Sequence, residues 1–93
     1  MESSARAQAI EYALRETLDA LHVEVVDQSA HHEGHVGAQV GGGHFQVVVV
    51  SDRFRGLSRI GAQRVVYEAL GDLMTSDIHA LSMRTLTPEE WSR

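Results

Sequence analysis

Six histidines, in a chain of 93 residues without cysteine, are the side chains best suited to do chemistry. Three of them, His31, His32 and His35, lie in one glycine-rich stretch, and His79 stands alone near the C-terminus. Imidazoles alone can hold zinc or copper, whereas an iron–sulfur cluster is held mostly by cysteine thiolates. A cluster bound here would therefore need sulfur ligands from another molecule. The alternative is that these histidines are solvated side chains of a polar loop.

The same inventory argues against an enzyme. The chain has no cysteine nucleophile, no Ser/His/Asp arrangement and no paired carboxylates near the histidines, where Glu33 stands alone. A hydrolytic zinc site of His31, Glu33 and His35 is conceivable, but histidines on a loop lack the helical face that aligns the ligands of such sites. We expect no catalytic activity.

Charge gives a second candidate site. Eight arginines, no lysine and thirteen carboxylates give a net charge of -5, which is unfavourable for a protein that holds nucleic acid by charge. Four of the arginines, Arg53, Arg55, Arg59 and Arg64, nevertheless fall within a dozen residues. This arginine cluster is the candidate for contact with nucleic acid.

The length is that of one small domain, so we expect a single unit over residues 1–93. The longest apolar run, Val47–Val50, is far shorter than the roughly 20 residues that a membrane span needs. The N-terminus lacks the basic start and apolar core of a secretory signal, which predicts a reducing compartment, the bacterial cytoplasm, and no membrane association.

The elements that must position these residues are indicated by apolar periodicity. A helix is predicted from Ser3 or Ser4 with Ile10, Leu14, Leu18 and Leu21 on one face, followed by a short strand that ends at Asp27–Ser29. Residues 30–43, with five glycines, predict a long exposed loop, and such loops are often functional. A strand follows from His44 to Ser51, and its run of valines predicts burial on both faces.

Ser58 is predicted to cap a second helix, with a turn at Asp77. The apolar residues of that helix are Ile60, Val65, Val66, Ala69, Leu70 and Leu73. A third strand over Ile78–Met83 would place His79 on the face opposite Ile78 and Ala80. Thr87–Glu90 is a capping box that opens a last helical turn, which Trp91 can fix to the body. The fold class is α+β, a small three-stranded sheet with helices packed on one face.

Several motifs, in order along nearly the whole chain, resemble the BolA family. They are Val25–Ser29, His32, Gly34–His35, Gly43–Gly56, Arg64–Tyr67, Ile78–Ser82 and Thr87–Trp91. The resemblance implies a single BolA-like domain whose fold is similar to the class II KH domain, with order α-β-β-α-β and a short C-terminal helix.

The resemblance also implies a partner and a cofactor. BolA-like proteins associate with monothiol glutaredoxins that carry a Cys-Gly-Phe-Ser active site. The pair shares a 2Fe-2S cluster, whose other ligands are the glutaredoxin cysteine and glutathione, and no cluster is expected on this chain alone. The implied function is that of a non-enzymatic adaptor in cluster assembly, cluster transfer or iron regulation. Alone, the chain is expected to be a monomer or a weak homodimer.

In the family pattern, one ligand is the histidine before Ala-Leu in the last strand, here His79. The other comes from the loop, three residues after Ser29, which is His32, so the chain resembles the histidine-loop subtype. His35 is the rival, and His31 is a weaker candidate. We expect a structural role for His44, with bonds inside the sheet, and no chemical role for His22 at a helix end.

The alternative that the resemblance carries is a DNA-binding transcriptional regulator using the KH-like fold and the arginine cluster. Two departures weaken this alternative. Many relatives have Arg-His-Arg where this chain has Ala62-Gln63-Arg64. The Gly-x-x-Gly loop with which KH domains clamp a nucleic-acid backbone is absent between Gly56 and Gly61.

Overall fold

The computed structural model describes residues 3–28 and 43–92. Along these ranges the chain forms α1 (Ser3–Leu18), β1 (His22–Asp27), β2 (Gly43–Val50), α2 (Arg59–Leu70), α3 (Leu73–Ser76), β3 (Ile78–Leu86) and α4 (Pro88–Ser92), with a 3-10 turn at Asp52–Phe54. The predicted order α-β-β-α-β and the short C-terminal helix are confirmed. The additional helix α3 was not predicted, because its four residues are too few to show a helical period.

The three strands form one mixed sheet in the order β1-β2-β3. β1 pairs with β2 in antiparallel orientation, and β2 pairs with β3 in parallel orientation. The amino ends of β2 and β3 therefore meet at the same edge of the sheet, together with the carboxyl end of β1. None of the helices in the described ranges has the length and hydropathy that spanning a bilayer requires.

The main core lies between one face of the sheet and helices α1 and α2. Its fully buried side chains are Ile10, Leu14, Phe45, Val47, Val49 and Val66. The prediction for Leu21 was wrong, because α1 ends at Leu18, Asp19 takes a positive φ of 48°, and Leu21 is 65% exposed beyond this turn. Ile60 is also not part of the buried stripe of α2, since it is 70% exposed.

The valine run of β2 is buried mainly on one face. Val47 and Val49 point into the main core, whereas Val48 is only partly buried and Gln46 is exposed. The prediction of burial on both faces was therefore wrong, because the helices of the core cover a single face. On the other face, Val50 is buried where α4 follows β3, and Trp91 of α4 stacks on the His22 ring.

A β-bulge opens β3. Gly43 pairs with Ile78 and the next residue, His44, pairs with Ala80, so His79 is the extra residue. The bulge changes which face each side chain occupies: Ile78 is buried, whereas His79 and Ala80 are both exposed. The prediction that Ala80 shares the face of Ile78 was wrong for this reason.

Candidate metal centre

His79 lies on the bulge at the start of β3, and its side chain is exposed to solvent. The backbone at this point is fixed by a hydrogen bond in which the Gly43 N–H donates to the Asp77 carbonyl oxygen, at 3.0 Å. Bulges often direct a side chain away from its regular place on the sheet. His79 is thus an accessible imidazole on a rigid strand end, as a metal ligand requires.

His44, on the neighbouring strand, lies beside His79. The two ring centroids are 5.1 Å apart and the ring planes are inclined by 36°. His44 is partly buried. The sequence predicted only a structural role for His44. The pair itself was not predicted, because the register between β2 and β3 is not visible in either segment alone. One signal was available: each histidine lies at the start of a predicted strand, and two parallel strands start at the same edge of a sheet.

The described residues that flank the segment with the other candidate histidines, Gln28 and Gly43, lie at this edge as well. The Gln28 N–H, one residue beyond β1, donates to the His44 carbonyl oxygen at 2.7 Å. The predicted ligands His32, His35 and His31 themselves fall in the stretch 29–42, outside the described residues. The predicted pairing of His79 with His32 therefore stays a prediction.

The carboxylate of Asp77, two residues before His79, is already engaged. Arg6 of α1 approaches it with Nε at 3.4 Å from Oδ1, and the Ser76 hydroxyl donates to Oδ2 at 2.8 Å. Within residues 3–28 and 43–92, no group of three or more His, Cys, Asp or Glu side chains is placed to hold a metal ion. The described residues offer a pair of imidazoles and no complete ligand set. This donor set fits a metal or cluster whose remaining ligands come from another molecule.

Two members of the arginine cluster are paired with carboxylates. Arg53 lies 3.8 Å from Asp19, and Arg55 Nε donates to Asp52 Oδ1 at 2.7 Å. Arg55 also pairs with Glu89 of α4. These two hydrogen bonds, first with Glu89 and then with Asp52, raise the pKa of the Arg55 guanidinium above its ordinary value. The charges of Arg53 and Arg55 are therefore partly neutralised within the molecule.

The other two arginines lie on α2. Among the described side chains, no carboxylate lies within ion-pair distance of Arg59 or Arg64. Arg64 lies one helical turn from Ile60 and Tyr67, and all three are exposed. Arg59 lines a cavity of about 410 Å³ between α2 and β3. This cavity contains neither His44 nor His79, so it is separate from the histidine pair.

His22 begins β1 and does not lie at a helix end as predicted. Its Nε2 is 2.7 Å from Glu24 Oε2, and its ring stacks on Trp91 with centroids 4.7 Å apart. Because His22 pairs with Val50, it sits at the end of the sheet farthest from His44. Its contacts indicate a packing role.

Comparison with known proteins decides the family. The family model described as BolA-like protein matches residues 14–90, which is most of the chain. The chain belongs to the BolA-like family.

Among the relatives of this BolA-like protein is the DNA-binding transcriptional regulator BolA of Escherichia coli (strain K12), 37% identical over 84 residues, which cover 90% of this chain and 77% of the relative. BolA-like protein 1 of Mus musculus is 38% identical over 89 residues, covering 95% of this chain and 65% of that protein. The solved BolA domain of SufE1 from Arabidopsis thaliana superposes with a TM-score of 0.79 at 37% identity, covering 97% of this chain and 98% of that domain.

These matches confirm two of the predictions for this BolA-like protein. The family is confirmed, and so is the α+β class with a three-stranded sheet and helices. The two curated relatives carry the names of a regulator and of a BolA-like protein, and neither is the name of an enzyme. The histidine-loop subtype and the likeness to the class II KH domain stay predictions.

Proposed function

We propose that this BolA-like protein is a non-enzymatic adaptor that binds a monothiol glutaredoxin and contributes imidazole to a shared 2Fe-2S cluster, in cluster assembly, cluster transfer or iron regulation. The observation that carries the proposal is the exposed His79 on its bulge, beside a second imidazole, in a chain that has no thiolate. The glutaredoxin cysteine and glutathione are the sulfur ligands that this donor set lacks.

His79 is the ligand to which the proposal commits, and His32 is the second ligand that the family resemblance implies. An exposed ring at the rim of the sheet can reach a metal held on the surface of another protein without a change in the fold. Imidazole is a neutral ligand, so it changes the charge and the reduction potential of a cluster when it takes the place of a thiolate. When bound, the cluster supplies the iron and sulfide that are transferred or sensed.

The remaining residues of the site orient His79. The Gly43–Asp77 hydrogen bond joins the amino ends of β2 and β3, and the Arg6–Asp77 ion pair connects this edge to α1. Both partners of that ion pair are mostly buried, which reduces its screening by solvent. The site is therefore supported by the folded domain on the side away from solvent, and it is open on the side where a partner would dock.

The test is spectroscopic. A Cys-Gly-Phe-Ser glutaredoxin with a reconstituted 2Fe-2S cluster is mixed with the wild-type chain, with His79→Ala or with His22→Ala, and visible absorption and circular dichroism are recorded. We expect the wild type and His22→Ala, the control at the far end of the sheet, to shift the cluster spectrum. With His79→Ala, we expect the same spectrum as for cluster-loaded glutaredoxin without a partner. The absence of a shift with wild type would contradict the proposal.

A second candidate function, a DNA-binding regulator, is favoured by one observation: the Escherichia coli relative with that name is 37% identical to this chain. The net charge of -5 and the pairing of Arg53 and Arg55 with carboxylates oppose strong binding. Within the arginine cluster, Arg59 and Arg64 are the residues left to contact phosphates. If the chain has this function, its affinity for DNA should fall as the salt concentration rises, and this salt dependence should be reduced when the two arginines are replaced.

A further inference from the structure

We infer that His44 is a metal ligand that acts together with His79, so that the edge of the sheet supplies two imidazoles to one metal ion without a histidine from the segment 29–42. Where the metal is an iron of the shared cluster, this inference rests on the proposed function. It departs from the family resemblance, which implies His32 as the second ligand.

The separation of the two rings is suited to a common metal ion. A metal bound to an imidazole nitrogen at about 2.0–2.1 Å lies about 3 Å from the ring centroid, so two imidazoles at a tetrahedral angle have centroids about 5 Å apart. The His44 and His79 centroids are 5.1 Å apart. The 36° inclination of the planes shows that the rings are not parallel, so the contact is not a simple face-to-face stack.

The backbone holds both histidines in place before any metal binds. The bulge sets His79 and Ala80 against His44, so the two rings belong to directly paired strands. The hydrogen bonds Gly43–Asp77 and Gln28–His44 fix the strand ends on either side of the pair. Ligands on strands are positioned more accurately than ligands on loops, and ordering them costs less conformational entropy.

The chemistry of the pair selects the class of metal. Two imidazole ligands favour a borderline ion such as Cu²⁺ or Zn²⁺ over Mg²⁺ or Ca²⁺. Asp77 is not available as a third ligand, because Arg6 and Ser76 already occupy its carboxylate. Two coordination positions therefore remain for water, or for thiolates from a partner.

The first experiment needs no partner. The background is a chain in which His31, His32 and His35 are replaced by asparagine, and Cu²⁺ binding is followed by titration and by electron paramagnetic resonance. We expect one Cu²⁺ per chain with nitrogen ligands, unchanged by the control His22→Ala. His44→Ala and His79→Ala should each weaken binding by about a hundredfold, because the gain from two linked ligands is lost. Equal binding with and without His44, or no binding in the background chain, would overturn the inference.

The variant His44→Cys tests whether a loss of metal binding in His44→Ala is caused by misfolding. A cysteine at the same place keeps a metal-binding side chain, so we expect Co²⁺ binding with a new thiolate charge-transfer band in this variant. If His44→Cys has the far-ultraviolet circular dichroism of the folded chain and no such band, position 44 does not face the metal and the inference is wrong.

The second experiment uses the complex with cluster-loaded glutaredoxin. We expect His44→Ala to lose the spectral shift as His79→Ala does, and His32→Ala to keep it. The reverse result, with the shift lost for His32→Ala and kept for His44→Ala, would overturn the inference for the cluster. If the wild type itself gives no shift, the proposed function fails, and the Cu²⁺ titration still decides whether His44 and His79 form a site.

Discussion

Ser51 is the only buried polar side chain within residues 5–28 and 43–92, and it joins three elements. Its hydroxyl donates to the Leu18 carbonyl oxygen at the end of α1, at 2.7 Å, and accepts from the Arg53 N–H in the 3-10 turn, at 3.0 Å. Ser51→Ala leaves a buried carbonyl without its donor, so we expect the free energy of unfolding to fall by about 1–3 kcal/mol in urea denaturation. The control Ser82→Ala, exposed on β3, should change it by less than about 0.5 kcal/mol. Equal losses would contradict this role.

For single residues, sequence patterns predicted the role of a side chain better than they predicted which side chains it contacts. The prediction that His79 lies away from the face of Ile78 followed from the alternation of apolar and polar residues, and the Ser58 cap followed from its residue type. The contact between His44 and His79 could not be predicted, because it depends on the register of two strands whose histidines are 35 positions apart in the sequence. Leu21 was misplaced because its helical spacing continues after the backbone has turned at Asp19.

Among the elements, α4 closes the end of the sheet opposite the histidine pair. Its capping box is formed as predicted: the Thr87 N–H donates to Glu90 Oε1 at 2.8 Å, and the Glu90 N–H donates to the Thr87 hydroxyl at 3.3 Å. Arg55 fixes the same helix through Glu89. At this end Val50 and Leu86 are buried although they lie outside the main core.

Trp91→Ala should therefore destabilise the protein without affecting the metal centre. The substitution removes the stack on His22 and the buried part of the indole, which is 40% exposed, so we expect a loss of about 1–3 kcal/mol in the free energy of unfolding. The measurement is urea denaturation followed by far-ultraviolet circular dichroism, since the only tryptophan is removed. Trp91→Phe, which keeps a stacking ring, should recover most of the stability. A change in the cluster spectrum of the glutaredoxin mixture would contradict the separation of the two ends.

The properties of the strands that were predicted wrongly are those that depend on neighbouring elements. The order of the main helices and strands followed from apolar periodicity and capping residues, which are local. Whether Val48 is covered depends on where the helices pack, and the bulge at His79 depends on how β3 aligns with β2. Neither property is determined by the sequence of the strand alone.

For the whole molecule, the distribution of charge decides how far the second candidate function can go. The chain has five more carboxylates than arginines, and two of its four clustered arginines are paired with acids of the 3-10 turn, of α4 and of the turn after α1. A long-range field that attracts DNA is therefore not expected. Any binding to DNA must come from a local surface, and the arginine cluster offers the exposed side of α2.

This charge distribution gives a test with a matched control. The double variant Arg59→Ala/Arg64→Ala and the double variant Arg53→Ala/Arg55→Ala remove the same net charge. If the protein binds DNA, we expect Arg59→Ala/Arg64→Ala to weaken the binding. The slope of log affinity against log salt should fall by about two, one for each lost phosphate contact. The second should leave the slope nearly unchanged, because its guanidinium groups are held by carboxylates. Fluorescence anisotropy of a labelled duplex over a salt series measures both slopes. Equal reductions would show that net charge and not the surface of α2 governs DNA binding.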